Sequence, residues 1–175
     1  MNFQLLGSET VYQGRAITLR RDDLRTPDGR TVKYDVIDHH GSVVLVPIDD
    51  QGRIYFVRQY RHAAEQEILE LPAGTLEPGE APEACAAREI REETGMAAEN
   101  IKEIGSFYLA PGYSTEFMHV YLATGLSHNP LEADADEFLQ VETLTLAEAM
   151  KQIEGGHLPD AKSLAALLLA KPYLK

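Results

Sequence analysis

The segment from Gly74 to Met96, GTLEPGEAPEACAAREIREETGM, holds the residues whose types and spacing could do chemistry. On a helix of about 3.6 residues per turn, Glu89 and Glu93 stand one turn apart on a common face, with Glu92 on the flank of Glu89. Like charges so placed destabilise an isolated helix by about 0.2–0.5 kcal/mol per pair, so a compensating cation is expected. Carboxylate oxygens are hard ligands that favour Mg²⁺ or Mn²⁺, and a magnesium site characteristically keeps waters and takes phosphate oxygens from a substrate. Arg88 is spaced to hold Glu92, and Glu80 in the preceding loop to pair with Arg88, so that these two would orient the ligands. By residue type alone, a solvated acidic face is an equally good description of this run.

Such a cluster needs a helix under it, and the sequence supplies one over about Pro82 to Thr94. Proline suits the first turn, the interior is rich in alanine, and Gly95 suits a left-handed terminal position. Ahead of it, Ser42 to Ile48 is a continuous apolar run of buried-strand type, followed by a turn at Asp49 to Gly52 and a strand over Arg53 to Tyr60. Glu67 to Leu71 is a further strand, and Pro72 opens a loop that runs to about Glu80. Strands are expected at Ile101–Leu109, Phe117–Ala123 and Phe138–Thr143, and helices at Leu146–Ile153 and Ala161–Leu169. The N-terminal part reads as a hairpin: broken strand-like sequence over Val11 to Arg25, the turn Thr26-Pro27-Asp28-Gly29, and a strand over Thr31 to Asp38. The pattern is an α/β layered domain with a mixed sheet, residues 41–175, preceded by a β-rich segment, residues 1–40.

Composition bounds the function. The 175 residues, 44% hydrophobic and 25% charged, make an ordinary folded chain. A net charge of -12 argues against a nucleic-acid binder, which needs clustered Lys and Arg, and it means that handling phosphates would require bridging metal ions. No apolar run reaches the roughly 20 residues of a membrane span, and no signal peptide is evident, so a cytoplasmic protein is expected. The lone Cys85 excludes an internal disulfide and is expected to be a small core residue.

At every fixed position the acidic segment resembles the signature of the Nudix hydrolase family: Gly74, Glu80, Arg88, Glu89, an aliphatic Ile90, Glu92, Glu93, Gly95 and the aliphatic Met96. The resemblance implies an α/β/α sandwich whose loop and helix bind divalent metal, Mg²⁺ with Mn²⁺ able to substitute. It implies water attack on a nucleoside diphosphate linked to another moiety. The implied ligands are Glu89, Glu93, the Ala73 carbonyl and Glu92, with Arg88, Glu80 and Gly74 in support. Pro111, fifteen residues beyond Met96, resembles the mark of the ADP-ribose pyrophosphatases. So do the runs Val57-Arg58-Gln59-Tyr60-Arg61, Glu70-Leu71-Pro72-Ala73-Gly74 and Ala110-Pro111-Gly112-Tyr113, with Glu116 following.

That second resemblance implies hydrolysis of ADP-ribose to AMP and ribose 5-phosphate by a homodimer that exchanges its N-terminal segment. Arg61, Arg15, Pro111, Gly112 and Glu116 would contact substrate, and Glu137, in an acidic stretch ahead of Phe138, would act as the base. The bland counterparts are a strand-end arginine at Arg61, a turn at Pro111-Gly112 and a solvated carboxylate at Glu137. Arg15 stands where some relatives place an aromatic that stacks on the base, and Tyr34-Asp35 where many have a basic residue. These departures leave another nucleoside diphosphate sugar as the alternative substrate. A non-catalytic ligand-binding domain is the alternative from another class.

Overall fold

The computed structural model describes residues 2–15, 17–132 and 138–174. The chain divides into two compact units, one made by the residues up to Gly41 with Tyr108–Phe117, the other by Ser42–Phe107 with the residues from Met118 onward.

The first unit is a three-stranded antiparallel sheet in the order β1 (Gln4–Gln13), β2 (Thr18–Arg25), β3 (Thr31–Asp38). The turn predicted at Thr26 to Gly29 joins the last two strands, with Gly29 at a φ of 87° and its N–H donating to the Thr26 carbonyl. Segment 108–117 is stitched to β3: Ile37 N donates to Tyr113 O at 2.8 Å, and Thr115 N to Ile37 O at 3.0 Å. Where the sequence suggests one broken strand over Val11 to Arg25, the structure has the end of β1, a turn closed by Gly14 N donating to Ile17 O, and all of β2. Every residue of β1 is exposed, so no burial enforces an alternation that would announce the strand.

The second unit is built around β4 (Ser42–Pro47), which is buried along its whole length. It runs parallel to β9 (Phe117–His128) and antiparallel to β7 (Ala73–Thr75), with β8 (Met96–Tyr108) beyond β9. Alternate β4 side chains enter opposite layers, as the two-residue strand period demands. Val44 and Val46 pack with Ala166, Leu167 and Ala170 of helix α3 (Ala161–Ala170). Val43 and Leu45 pack with Cys85, Ala86 and Ile90 of helix α1 (Pro82–Thr94). A helix on each face of a mixed sheet is the α/β/α sandwich expected, and each fully buried β4 valine or leucine contributes about 1.5–3 kcal/mol to holding it.

A second sheet of this unit has the order β10 (Leu139–Thr145), β5 (Arg53–Arg61), β6 (Gln66–Glu70). Helix α2 (Leu146–Glu154) follows through a capping box between Thr145 and Glu148.

Helix α1 begins at Pro82 without a side-chain cap and ends at Gly95, whose φ of 72° turns the chain directly into β8. The loop expected after Pro72 carries a short strand instead: Ala73–Thr75 pairs with Ser42–Val44. Among the described residues, no helix is long and apolar enough to cross a membrane.

Candidate active site

Helix α1 and strand β7 bring Ala73, Gly74, Glu80, Arg88, Glu89, Glu92 and Glu93 together. Glu89 and Glu93 are only 9% and 5% exposed, an uncommon burial for two carboxylates one helical turn apart. Glu93 Oε2 accepts the Ala73 N–H at 2.9 Å. Glu89 lies so close over Gly74 that a β-carbon there would stand 1.8 Å from its Oε1, so the glycine is what admits the carboxylate. Arg88 is the hub. Its Nη1 donates to Glu89 at 2.6 Å and Glu92 at 2.8 Å, while Nε and Nη2 grip the two oxygens of Glu80 at 3.0 Å each.

The electrostatics follow from that hub. The hydrogen bond from Arg88, acting against burial, holds the Glu80 carboxyl down at about 2, and the same bonds raise the Arg88 guanidinium above its ordinary value. Because the folded pKa lies below the unfolded 4.5, the pair stabilises the fold fully above that pH and loses its contribution as pH falls toward about 2. Glu80→Gln should therefore lower the urea midpoint at pH 7, with the gap to the unmutated protein closing by about pH 2; a gap independent of pH would contradict the assignment. Cys85, on the buried face of α1, has its thiol pushed up to about 12 by burial first and then by Glu89, as suits an inert core residue.

Among the described residues, no three or more His, Cys, Asp or Glu side chains stand in an arrangement that could by itself hold a metal ion. The donor set itself is nonetheless that of a hard divalent cation: oxygens alone, from carboxylates that outnumber the one arginine among them.

Arg61, at the end of β5, donates Nε and Nη2 to the two oxygens of Glu70 at 2.6 and 2.9 Å. That bond, against burial, raises its guanidinium, with further contributions from Glu93 and Asp160. Glu70 also receives Lys162 Nζ, which in turn contacts Asp160 at 2.9 Å. Sequence reasoning named Glu70 only within a run of resemblance, with no role, and missed Lys162 and Asp160. The available signal was Lys162 itself, a cation in the first turn of an apolar helix, where the helix dipole disfavours it. Gln59, two residues before Arg61 on the same face of β5, is buried with an Oε1 that has no hydrogen-bond partner among the described residues.

Of the remaining residues singled out from sequence, Arg15, Pro111, Gly112 and Glu116 lie in the first unit. Pro111 and Gly112 line a cavity of about 490 Å³ together with Tyr34, Tyr108, Tyr113 and Asp22. Arg15, in the turn after β1, and Glu116 are not among the described residues that line it. Tyr34, noted as a departure, is thus a wall of the cavity, and its neighbour Asp35 pairs with Arg21 at 2.8 Å. Glu137 lies outside the described residues.

Residues 38–167 match the NUDIX domain, and residues 3–37 match the nucleoside diphosphate sugar hydrolase N-terminal domain. The chain belongs to the Nudix family. It is a nucleoside diphosphate sugar hydrolase of that family, whose members typically depend on divalent metal. It is 39% identical to an ADP-ribose pyrophosphatase of Bacillus subtilis (strain 168), over 93% of this chain and 89% of that one. It is 39% identical to a methanol dehydrogenase activator of Bacillus methanolicus, over 91% of this chain and 88% of that one. Its fold is similar to the crystal structure of an ADP compounds hydrolase, with a TM-score of 0.87 and 28% identity over 99% of this chain and 94% of that one.

Proposed function

We propose that this hydrolase cleaves the diphosphate of ADP-ribose to AMP and ribose 5-phosphate with Mg²⁺, for which Mn²⁺ can substitute. The observation that carries the substrate is the likeness to an ADP-ribose pyrophosphatase over nearly the whole chain. The cavity walled by three tyrosines adds to it, since aromatic faces and an acceptor such as Asp22 suit a nucleobase.

Glu89, Glu92, Glu93 and the Ala73 carbonyl would hold the metal, which when bound neutralises phosphate charge and lowers the pKa of water. Arg88 orients Glu89 and Glu92 and keeps Glu80 against the helix. Arg61 contacts a phosphate oxygen, a task for which a guanidinium is well shaped. Glu137, on its place in the sequence, accepts the proton of the attacking water. That water adds to one phosphorus, the bridging P–O bond breaks, and two phosphate monoesters leave. Pro111 and Gly112 shape the base cavity, and Arg15 and Glu116 reach the substrate from the same unit.

The departures at Arg15 and Tyr34-Asp35 favour, as second reading, a different nucleoside diphosphate sugar. A panel of these compounds, assayed by phosphate release after phosphatase treatment with and without EDTA, decides between them. ADP-ribose should stand among the best substrates by kcat/KM, with activity lost in EDTA; poor turnover of ADP-ribose beside a better sugar would refute the first assignment.

The chain pairs with a second copy through β1, which exposes Leu5, Leu6, Val11 and Tyr12 along one strand. Light scattering should give twice the mass of one chain, and a clean monomer would exclude a shared pocket.

A further inference from the structure

Arg61 presents a paradox as a phosphate contact. Two of its donors are committed to Glu70, and a guanidinium paired one-to-one with a carboxylate has little net charge left for a diphosphate. The structure resolves it one layer deeper. Glu70, whose side chain is 2% exposed, is shared between two cations: Arg61 from β5 and Lys162 from α3. Lys162 is itself nearly buried, and its ammonium lies between Glu70 and Asp160.

Asp160 is balanced only in part by Lys162. It caps α3 by accepting Ser163 N–H at 3.0 Å, so its charge also faces the positive end of the helix. Ser163 Oγ accepts the N–H of Leu71 at 2.7 Å, which fastens the start of α3 to the chain segment leading from Glu70 to Ala73.

We propose that Lys162 is a positioning residue for substrate binding. By sharing the charge of Glu70, it leaves the Arg61 guanidinium cationic toward the diphosphate and fixes the carboxylate on which Arg61 rests. The proposal depends on Arg61 contacting phosphate. It adds that the contact is tuned by a lysine about a hundred residues further along the chain, on a helix that carries none of the residues assigned to catalysis.

The test is a double-mutant cycle in the full-length protein, with steady-state kinetics on ADP-ribose at saturating Mg²⁺. Arg61→Gln should raise KM by about tenfold or more, and Lys162→Met by about five- to tenfold with kcat changed less than twofold. In the Arg61→Gln background, Lys162→Met should add nothing to KM. Should Lys162→Met fail to fold, Lys162→Gln keeps a donor against Glu70 without the charge and is read in the same way.

Equal KM effects of the lysine substitution in both backgrounds would overturn the proposal, because Lys162 would then act by another route. So would a folded lysine variant with unchanged KM beside an Arg61→Gln variant with raised KM. If Arg61→Gln itself leaves KM unchanged, the phosphate contact of Arg61 fails first and the role of Lys162 with it.

Discussion

Glu93→Gln is expected to lower kcat on ADP-ribose by on the order of a thousandfold while moving Tm by no more than about 3 °C. The two halves of that result have separate causes. Glutamine has nearly the volume of glutamate, and its amide oxygen can still accept the Ala73 N–H that Glu93 Oε2 accepts at 2.9 Å. Packing of a residue only 5% exposed is therefore preserved. What disappears is one negative charge at the centre of the proposed cation site, a loss that a neutral oxygen makes up only in small part. Raising Mg²⁺ should recover little activity, since the remaining ligands bind the ion less tightly and place it less well. A kcat loss under tenfold would point instead to a domain that binds nucleotides without turning them over.

The parts of this molecule legible in its sequence are those whose cause is local. Helix α1 announces itself because Pro82 and Gly95 punctuate it, and the common face of Glu89 and Glu93 follows from helical geometry alone. Strand β4 is legible because burial on both faces demands an unbroken apolar run, Val43 to Val46. Strand β7 is not. Its three residues include a glycine, and they are a strand only because β4 offers them an edge.

The same division holds at the site. The pairing of Arg88 with Glu80 and Glu92 could be expected from spacing. Its grip on Glu89 could not, because adjacent helical residues point in different directions and the contact needs a long side chain to fold back. The link between Glu70 and Lys162 spans 92 positions and depends on how α3 packs, which no local pattern encodes. The cavity beside Pro111 is assembled from β2, β3 and segment 108–117, and its tyrosines have no periodic relation to one another.

Gly74→Ala tests the tightest steric claim at the site and should cost about a hundredfold in kcat. The β-carbon it introduces would lie 1.8 Å from Oε1, 1.9 Å from Cδ and 2.5 Å from Cγ of Glu89, far inside van der Waals contact. The carboxylate must therefore leave its place, and it takes with it the 2.6 Å contact to Arg88, which also orders Glu92. Conformational freedom of the glycine is not the reason for the loss, because Gly74 is absent from the residues with positive φ and alanine suits its backbone. The steric cause has a distinguishing consequence. Adding Glu89→Ala to Gly74→Ala removes the clash, so Tm should return toward that of Glu89→Ala alone while activity stays low. If Gly74→Ala keeps kcat within threefold of the unmutated protein, Glu89 is not held where the reaction needs it, and the proposal that the carboxylate cluster on α1 is the catalytic centre fails.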